Sequence, residues 1–287
     1  MTGFVVRTAH EADLDAIFEI AQATGHRESP EVFGSYQRHL MARGTLLVAE
    51  RDGAVSGYGA TVRIGSGSLA TCMLADLFVH PSAHGRGCGR VLLSALWRDQ
   101  PRRMTFSSLH PHALPLYTAF GLDAWWPLLY LSGDPAALPR PARWSVRAAS
   151  PEQVGALELS WTGADRTADH RMWASWPMGA AYVATLDGRP AGAGTAAQTR
   201  AGPGVSIGHL AMDPSARSGQ DAANAVIAVL TSMDPPCGQA GVCLPAPHPA
   251  TRPLLAAGWR VDEFDLHMAT QPDLVDPRRA VPSPALA

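Results

Sequence analysis

At 287 residues, with a formal net charge of −2 and 17% charged residues, the chain is long enough for two ordinary globular domains and has no general electrostatic bias toward nucleic acid or an anionic membrane surface. Its basic side chains other than histidine are all arginine, and the absence of lysine excludes the phosphate loop that ends in Gly-Lys-Ser/Thr. Four cysteines, Cys72, Cys88, Cys237 and Cys243, form neither a C-x-x-C pair nor a regular framework, which points to a reducing compartment and away from a disulfide scaffold.

No apolar run approaches the roughly 18 residues of a membrane span, and Met-Thr-Gly-Phe-Val-Val-Arg-Thr lacks the pattern of a signal peptide. The expected location is the cytoplasm. In chain order, residues 4–7 read as a short strand. Thr8-Ala-His-Glu11 reads as a capping box opening a helix with Leu14, Ile17, Phe18 and Ala21 on one face, ended by Gly25. Ser29-Pro30-Glu31 opens a second helix, with proline at the first helical position. Thr45–Glu50 and Val55–Ile64 form a hairpin about Arg51-Asp52-Gly53, and Leu69–Val79 forms a third long strand. A glycine-rich loop and an amphipathic helix follow. Met104–Leu109 reads as a strand, His112–Phe120 as a helix ended by Gly121, Trp125–Leu131 as a strand, and the proline-rich 133–142 as a linker.

The chain then starts again. Arg7-Thr-Ala is echoed by Arg147-Ala-Ala, and Ser150-Pro-Glu-Gln153 is a second capping-box start. Val48-Ala-Glu-Arg-Asp-Gly returns as Val183-Ala-Thr-Leu-Asp-Gly, Asp76-Leu-Phe-Val-His-Pro as His209-Leu-Ala-Met-Asp-Pro, and Ala119-Phe-Gly121 as Ala256-Ala-Gly258. These matches keep their order at offsets of 135, 133 and 137 residues, too long for a solenoid and suited to a duplicated domain. The expected division is 1–135, a linker 136–143, a second domain 144–271 and a flexible proline-rich tail 272–287.

The stretch from Leu74 to Trp97 carries the chemistry. An apolar strand runs through Pro81 into His84-Gly85-Arg86-Gly87-Cys88-Gly89-Arg90 and then into a helix. A helix N-terminus offers unpaired N–H groups and a partial positive charge, glycines let backbone approach an anion, and Arg86 and Arg90 add permanent charge. A dinucleotide fingerprint from Gly85 fails, because position 90 is arginine.

The order strand, two helices, three antiparallel strands, helix, strand, helix, strand, with His84-Gly85-Arg86-Gly87-Cys88-Gly89 after the fourth strand, resembles the GNAT superfamily of acyl-CoA-dependent N-acyltransferases, whose loop pattern is Gln/Arg-x-x-Gly-x-Gly/Ala. Histidine stands at the first position of that pattern. A second family pattern, Asn-x-x-Ala-x-x-x-Tyr-x-x-x-Gly-Phe, is matched by Ala113, Tyr117 and Gly121, with His110 for the asparagine and Leu122 for the phenylalanine. The resemblance implies an α+β fold of two GNAT-like domains, each a largely antiparallel sheet flanked by helices with its fourth and fifth strands splayed apart. It implies acetyl-CoA as co-substrate, held by Leu77, Phe78, Val79, His84, Gly85, Arg86, Gly87, Cys88, Gly89, Arg90 and His110, and a small-molecule or peptide amine as acceptor. Tyr117 would protonate the departing thiolate, which needs a nearby donor in a dry cleft, and the Val79 N–H would stabilise the oxyanion. Asp76 could take the amine proton directly or through water, or attract a cationic substrate; a strand-end charge facing solvent is the alternative. His26, Arg27 and Glu28 fall where the family shapes its acceptor pocket.

The histidines at 80, 84, 110 and 112 lack a completing cysteine or carboxylate pattern, so no metal is expected. In the second half the loop Ser215-Ala-Arg217-Ser-Gly219-Gln-Asp221 keeps one glycine and adds a carboxylate, and the tyrosine register falls on Leu254. That copy reads as degenerate at the cofactor site, left to complete the core, close a substrate cleft or mediate homodimerisation. The competing functional class is a regulator that binds acyl-CoA without turning it over.

Overall fold

The computed structural model describes residues 3–67, 70–198, 204–216, 218–235 and 237–286. Contacts divide the chain into one unit of residues 1–124 with 268–274 and 286, and another of 125–267 with 275–285 and 287.

In the first unit β1 (Val5–Thr8), β2 (Gly44–Arg51), β3 (Ala54–Ile64) and β4 (Thr71–Val79) pair antiparallel in that order, and β5 (Arg103–Ser107) pairs parallel to β4. The parallel step requires a crossover, which α3 (Cys88–Leu96) supplies. Helices α1 (Leu14–Ala23) and α2 (Pro30–Arg43) precede β2, and α4 (Ala113–Ala119) follows β5. Alternation along β4 assigns its two faces. Leu77 and Val79 pack with Cys88 and Leu92 of α3, whereas Asp76 and Phe78 meet residues of α2 and of the loop before it.

The first helix begins two residues later than the sequence suggests. A short 3₁₀ turn at Glu11–Asp13 has His10 as its cap, and the Asp13 carboxylate accepts from the His10 N–H at 2.7 Å. Asp13 wins because Arg7 also grips it through two 2.7 Å contacts, an interaction Glu11 does not have. The second helix starts as expected, with Ser29 accepting from the Val32 N–H. Leu69, expected to begin the third long strand, lies outside the described residues.

The second unit repeats the plan with β7 (Trp144–Ala149), α5 (Pro151–Thr162), α6 (Thr167–Ser175), β8 (Ala180–Leu186), β9 (Arg189–Gln198), β10 (Val205–Met212), α7 (Gly219–Ser232), β11 (Ala240–Pro245), α8 (Thr251–Ala256) and β12 (Arg260–Ala269). The Ser150 capping box is present, closed by Gln153. The repeat extends to strand register. In the first unit β4 and β5 pair only at Cys72↔Arg103, Met73↔Met104 and Leu74↔Thr105, and a bulge falls between Leu74 and Asp76. In the second unit β10 and β11 pair only at Val205↔Ala240, Ser206↔Gly241 and Ile207↔Val242, with a bulge between Ile207 and His209. In both, a bulge bends the strand where its parallel partner is lost. The expected splay is thus present in each unit.

The boundaries differ from the sequence expectation. β6 (Asp123–Gly133) pairs antiparallel with β11, from Leu128↔Pro245 to Gly133↔Ala240, and so joins the second unit from residue 125 onward. The segment 268–274 belongs to the first, where the Thr270 N–H donates to the Arg103 carbonyl at 3.0 Å and Arg102 donates to Gln271 at 2.8 Å. Nor is 272–287 a loose tail over its described part. Val281 is 1% exposed within the second unit's core, its carbonyl accepts from the Leu210 N–H, and Arg279 donates to the Asp213 carbonyl. Burying an apolar side chain and satisfying strand backbone outweighs the entropy of ordering so short a segment.

Candidate functional site

The glycine loop and its helix come first. Gly85 and Gly87 sit at φ +70° and +87°, a region that side-chain-bearing residues reach only at a cost, and Gly87 is the residue before α3. No side chain caps α3, so its first-turn N–H groups open toward the loop. Gly89 has an ordinary φ but no spare room. A Cβ there would lie 3.2 Å from Leu116 of α4 and 3.8–3.9 Å from Val79 and Leu77 of β4. The close approach of β4, α3 and α4 therefore depends on that glycine. Arg86 and Arg90 are exposed, with the Arg90 guanidinium 5.8 Å from the Phe120 ring. Cys88 is buried, and burial pushes its thiol up to about 11, so it stays protonated and inert near neutrality.

The opened edge of β4 is the second component. The His80 N–H donates to the Ser56 carbonyl at 2.9 Å on the β3 side. Edges alternate along a strand, so the Val79 N–H and C=O point the opposite way, toward the edge from which β5 has parted. The Val79 carbonyl there accepts from His84 Nε2 at 2.8 Å. His84 thus ties the start of the glycine loop to the strand end. Its ring lies 5.7 Å from His110 and 6.2 Å from His112, whose own rings are 5.4 Å apart. Burial, helped by these neighbours, lowers the His110 pKa. Among the described residues no group of three or more His, Cys, Asp or Glu is arranged to hold a metal ion.

Tyr117 is on α4, 7% exposed, with its ring tilted against Trp97 at 6.1 Å. Its neighbour Leu116 makes the approach to Gly89. Asp76 occupies the opposite face of β4. Gln37 of α2, fully buried, donates from Nε2 to Asp76 Oδ2 at 2.8 Å, and the Tyr36 hydroxyl donates to Oδ1 at 3.5 Å. The carboxylate is therefore engaged from α2 and is not a charge at a solvated strand end. Sequence reading passed over Gln37, although an amide within the buried stripe Phe33, Tyr36, Gln37, Leu40 is a visible departure from helical periodicity.

Phe78 stacks on Tyr58 at 5.3 Å and meets the edge of His26 at 6.2 Å. His26 also contacts Phe33 at 5.1 Å, and its Nε2 lies 3.0 Å from Glu28 Oε2. Arg27 is exposed beside them.

The corresponding positions of the second unit look different. Ser218 caps α7 by accepting from the Asp221 N–H at 2.9 Å, and its hydroxyl donates to the Asp221 carboxylate at 2.6 Å. This helix N-terminus already holds an acidic side chain; Arg217 lies outside the described residues. At the 133-residue offset, Asp76 becomes His209 and Gln37 becomes His170. Both histidines contact the buried Glu158, at 2.9 and 2.7 Å, and His209 is stacked on Trp173. Burial opposes the charge on Glu158, but His209 and the hydrogen bonds from both histidines outweigh it and hold the carboxyl well below its usual range. Burial in turn depresses the His209 pKa. Leu254, at the tyrosine register, is fully buried in α8.

Residues 42–121 match the model of the acetyltransferase (GNAT) domain. A search of curated proteins finds no match. Among solved structures, a protein assigned as an acetyltransferase from Pyrococcus horikoshii aligns over 100% of this chain and 97% of its own, with TM-score 0.71 and 15% identity. A tandem GNAT protein from the clavulanic acid biosynthesis pathway aligns over 93% of this chain and 98% of its own at TM-score 0.59 and 17% identity. A GCN5-related N-acetyltransferase from Kribbella flavida aligns over 93% and 71%, at TM-score 0.61 and 17% identity. At these identities the likeness is one of fold, and it extends over both units. The glycine loop, the opened β4 edge and the Tyr117 helix all fall inside the segment that matches the acetyltransferase (GNAT) domain model.

Proposed function

We propose that the first unit is an acetyl-CoA-dependent N-acetyltransferase acting on a primary amine by direct attack within a ternary complex. The observation that carries this reading is the Val79 edge, opened by the bulge at Ala75, beside an uncapped helix whose loop glycines leave room for an anion. Residues 85–90 would hold the pyrophosphate through backbone N–H groups, with Arg86 and Arg90 adding charge. The freed edge of β4 at Leu77 and Val79 would receive the pantetheine arm as a further strand. His84 and His110 border the same loop, His84 by fixing the Val79 carbonyl.

Acetyl-CoA supplies the acyl group as an activated thioester. The Val79 N–H, on the freed edge, would stabilise the charge that develops on the carbonyl oxygen, and Tyr117 would be the proton donor for the sulfur. The second unit keeps the splayed fold but carries Ser218 and Asp221 at the helix start and the Glu158 cluster in place of Asp76. These features support a role in scaffolding or self-association without coenzyme binding.

Free thiol released from acetyl-CoA, measured across a panel of small amines, amino acids and peptide N-termini, tests the reading. Amine-dependent release is expected. Calorimetric binding of acetyl-CoA without release by any amine would instead establish a non-catalytic acyl-CoA-binding protein, and no binding would overturn both readings.

A further inference from the structure

The loop between α1 and α2 carries a hydrogen-bonded pair with the form of a catalytic dyad. The end of α1 places it rigidly. Gly25 is left-handed at φ +95°, the His26 N–H donates to the Ala21 carbonyl at 3.0 Å, and the Gly25 N–H donates to the Gln22 carbonyl at 3.0 Å. This is the two-bond Schellman closure, which fixes the residue after the glycine. The His26 ring is wedged edge-on against Phe33 of α2 and Phe78 of β4. Its Nε2 faces Glu28 Oε2 at 3.0 Å, and their side chains are only 14% and 4% exposed. An ionised carboxylate can only accept, so Nε2 carries the hydrogen and Nδ1 of the neutral ring keeps its lone pair. Nδ1 makes no hydrogen bond among the described residues.

Asp76 lies on the same face of β4 as Phe78 but is engaged by Gln37 and Tyr36. On this face the Asp76 carboxylate already accepts from α2, whereas His26 Nδ1 accepts no hydrogen bond among the described residues. Phe78, which it touches, directly precedes Val79 in the strand.

Building on the acyltransfer reading, we propose that His26, oriented by Glu28, is the general base for the acceptor amine, and that Asp76 is a positioning residue. In the step, the amine nitrogen forms a bond to the thioester carbonyl carbon and the carbon–sulfur bond breaks. The proton lost by the amine goes to His26 Nδ1, and the thiolate takes one from the Tyr117 hydroxyl. Exchange with solvent restores both groups. Glu28 acts through His26: it sets the tautomer and stabilises the imidazolium that forms.

The test uses the full chain, acetyl-CoA and an accepted amine, with kcat followed from pH 6 to 9 and acetyl-CoA affinity followed by calorimetry. His26→Gln should lower kcat about a hundredfold, at the low end of what a positioned base contributes, and abolish the acidic limb of the profile. Affinity should stay within twofold. His26→Phe, which keeps a ring against Phe33 and Phe78, should behave alike and so separates packing from proton transfer. Glu28→Gln should lower kcat about tenfold with acetyl-CoA affinity unchanged, and Glu28→Asp should restore most of it. An acidic limb that persists in His26→Phe with turnover within threefold overturns the inference, as does its disappearance in Asp76→Asn alone. An unsubstituted chain that releases no thiol with any amine overturns the acyltransfer reading itself, and the inference with it.

Discussion

Gln37 donates to Asp76 across 2.8 Å in the first unit, and at the same 133-residue spacing His170 and His209 flank Glu158 in the second. One copy places a neutral amide on the carboxylate that faces its α2 helix. The other fills the equivalent space with a buried carboxylate held by two histidines, and the indole of Trp173. The duplicated fold is the same and the chemistry of the position is not. Glu158→Gln should therefore destabilise the second unit by about 2 kcal/mol, because the amide offers one acceptor oxygen where the carboxylate offers two and leaves one buried histidine N–H without a partner. Urea unfolding of the full chain, followed by tryptophan fluorescence, measures this.

The glycines make different demands. Gly87→Val forces a β-branched residue into the left-handed region, and Gly89→Val drives a side chain into Leu116. Both should abolish acetyl-CoA binding in calorimetry. Gly219→Val, at the start of α7, meets only Pro249 at 3.3 Å and should leave binding unchanged. Loss of binding in the Gly219 variant alone would assign the coenzyme to the second unit.

Tyr117→Phe keeps the ring against Trp97 and deletes only the hydroxyl. Acetyl-CoA affinity should barely change while thiol release falls at least tenfold. Unchanged release would remove Tyr117 as the acid.

Arg7 binds Asp13 through two nitrogens and reaches Glu50 from β1, holding the Asp13 carboxyl down at about 2. A depressed carboxyl contributes stability above its unfolded value, and that stability is lost as pH falls through the folded value. Arg7→Ala should cost roughly 2 kcal/mol at pH 7 in a denaturant titration. The cost should shrink between pH 4 and pH 2.

Burial lowers His248 and His267 to about 4. In the unfolded chain these rings take up protons near their usual value of about 6.5, so the unfolded state binds more protons below that pH. Stability therefore falls as pH drops from about 6.5 toward 4. His248→Asn retains an acceptor for the Ala250 N–H, which His248 Nδ1 now receives at 3.1 Å, and removes the titration. Its melting temperature should depend less steeply on pH over that window than that of the unsubstituted chain, as differential scanning calorimetry would show.

The sequence by itself determined the duplication, the order of strands and helices, and the glycine loop. Those features are local or periodic: a proline at N1, a left-handed glycine and alternation along a strand depend on residues close together in the chain. Tertiary structure decided that β6 pairs with β11, and that segment 268–274 bonds to Arg103, since strand pairing at long separation leaves no local trace. It also decided that Asp13, and not Glu11, closes the first cap, because Arg7 reaches Asp13 from β1. The site shows the same division. The sequence singled out Val79, His84 and Tyr117, but only the bulge at Ala75 frees the Val79 edge, and only the packing of α2 on β4 engages Asp76 while leaving Nδ1 of His26 without a hydrogen bond among the described residues. A hydrogen-bonding partner 39 residues away, as Gln37 is from Asp76, becomes a neighbour only after the apolar faces between them have closed.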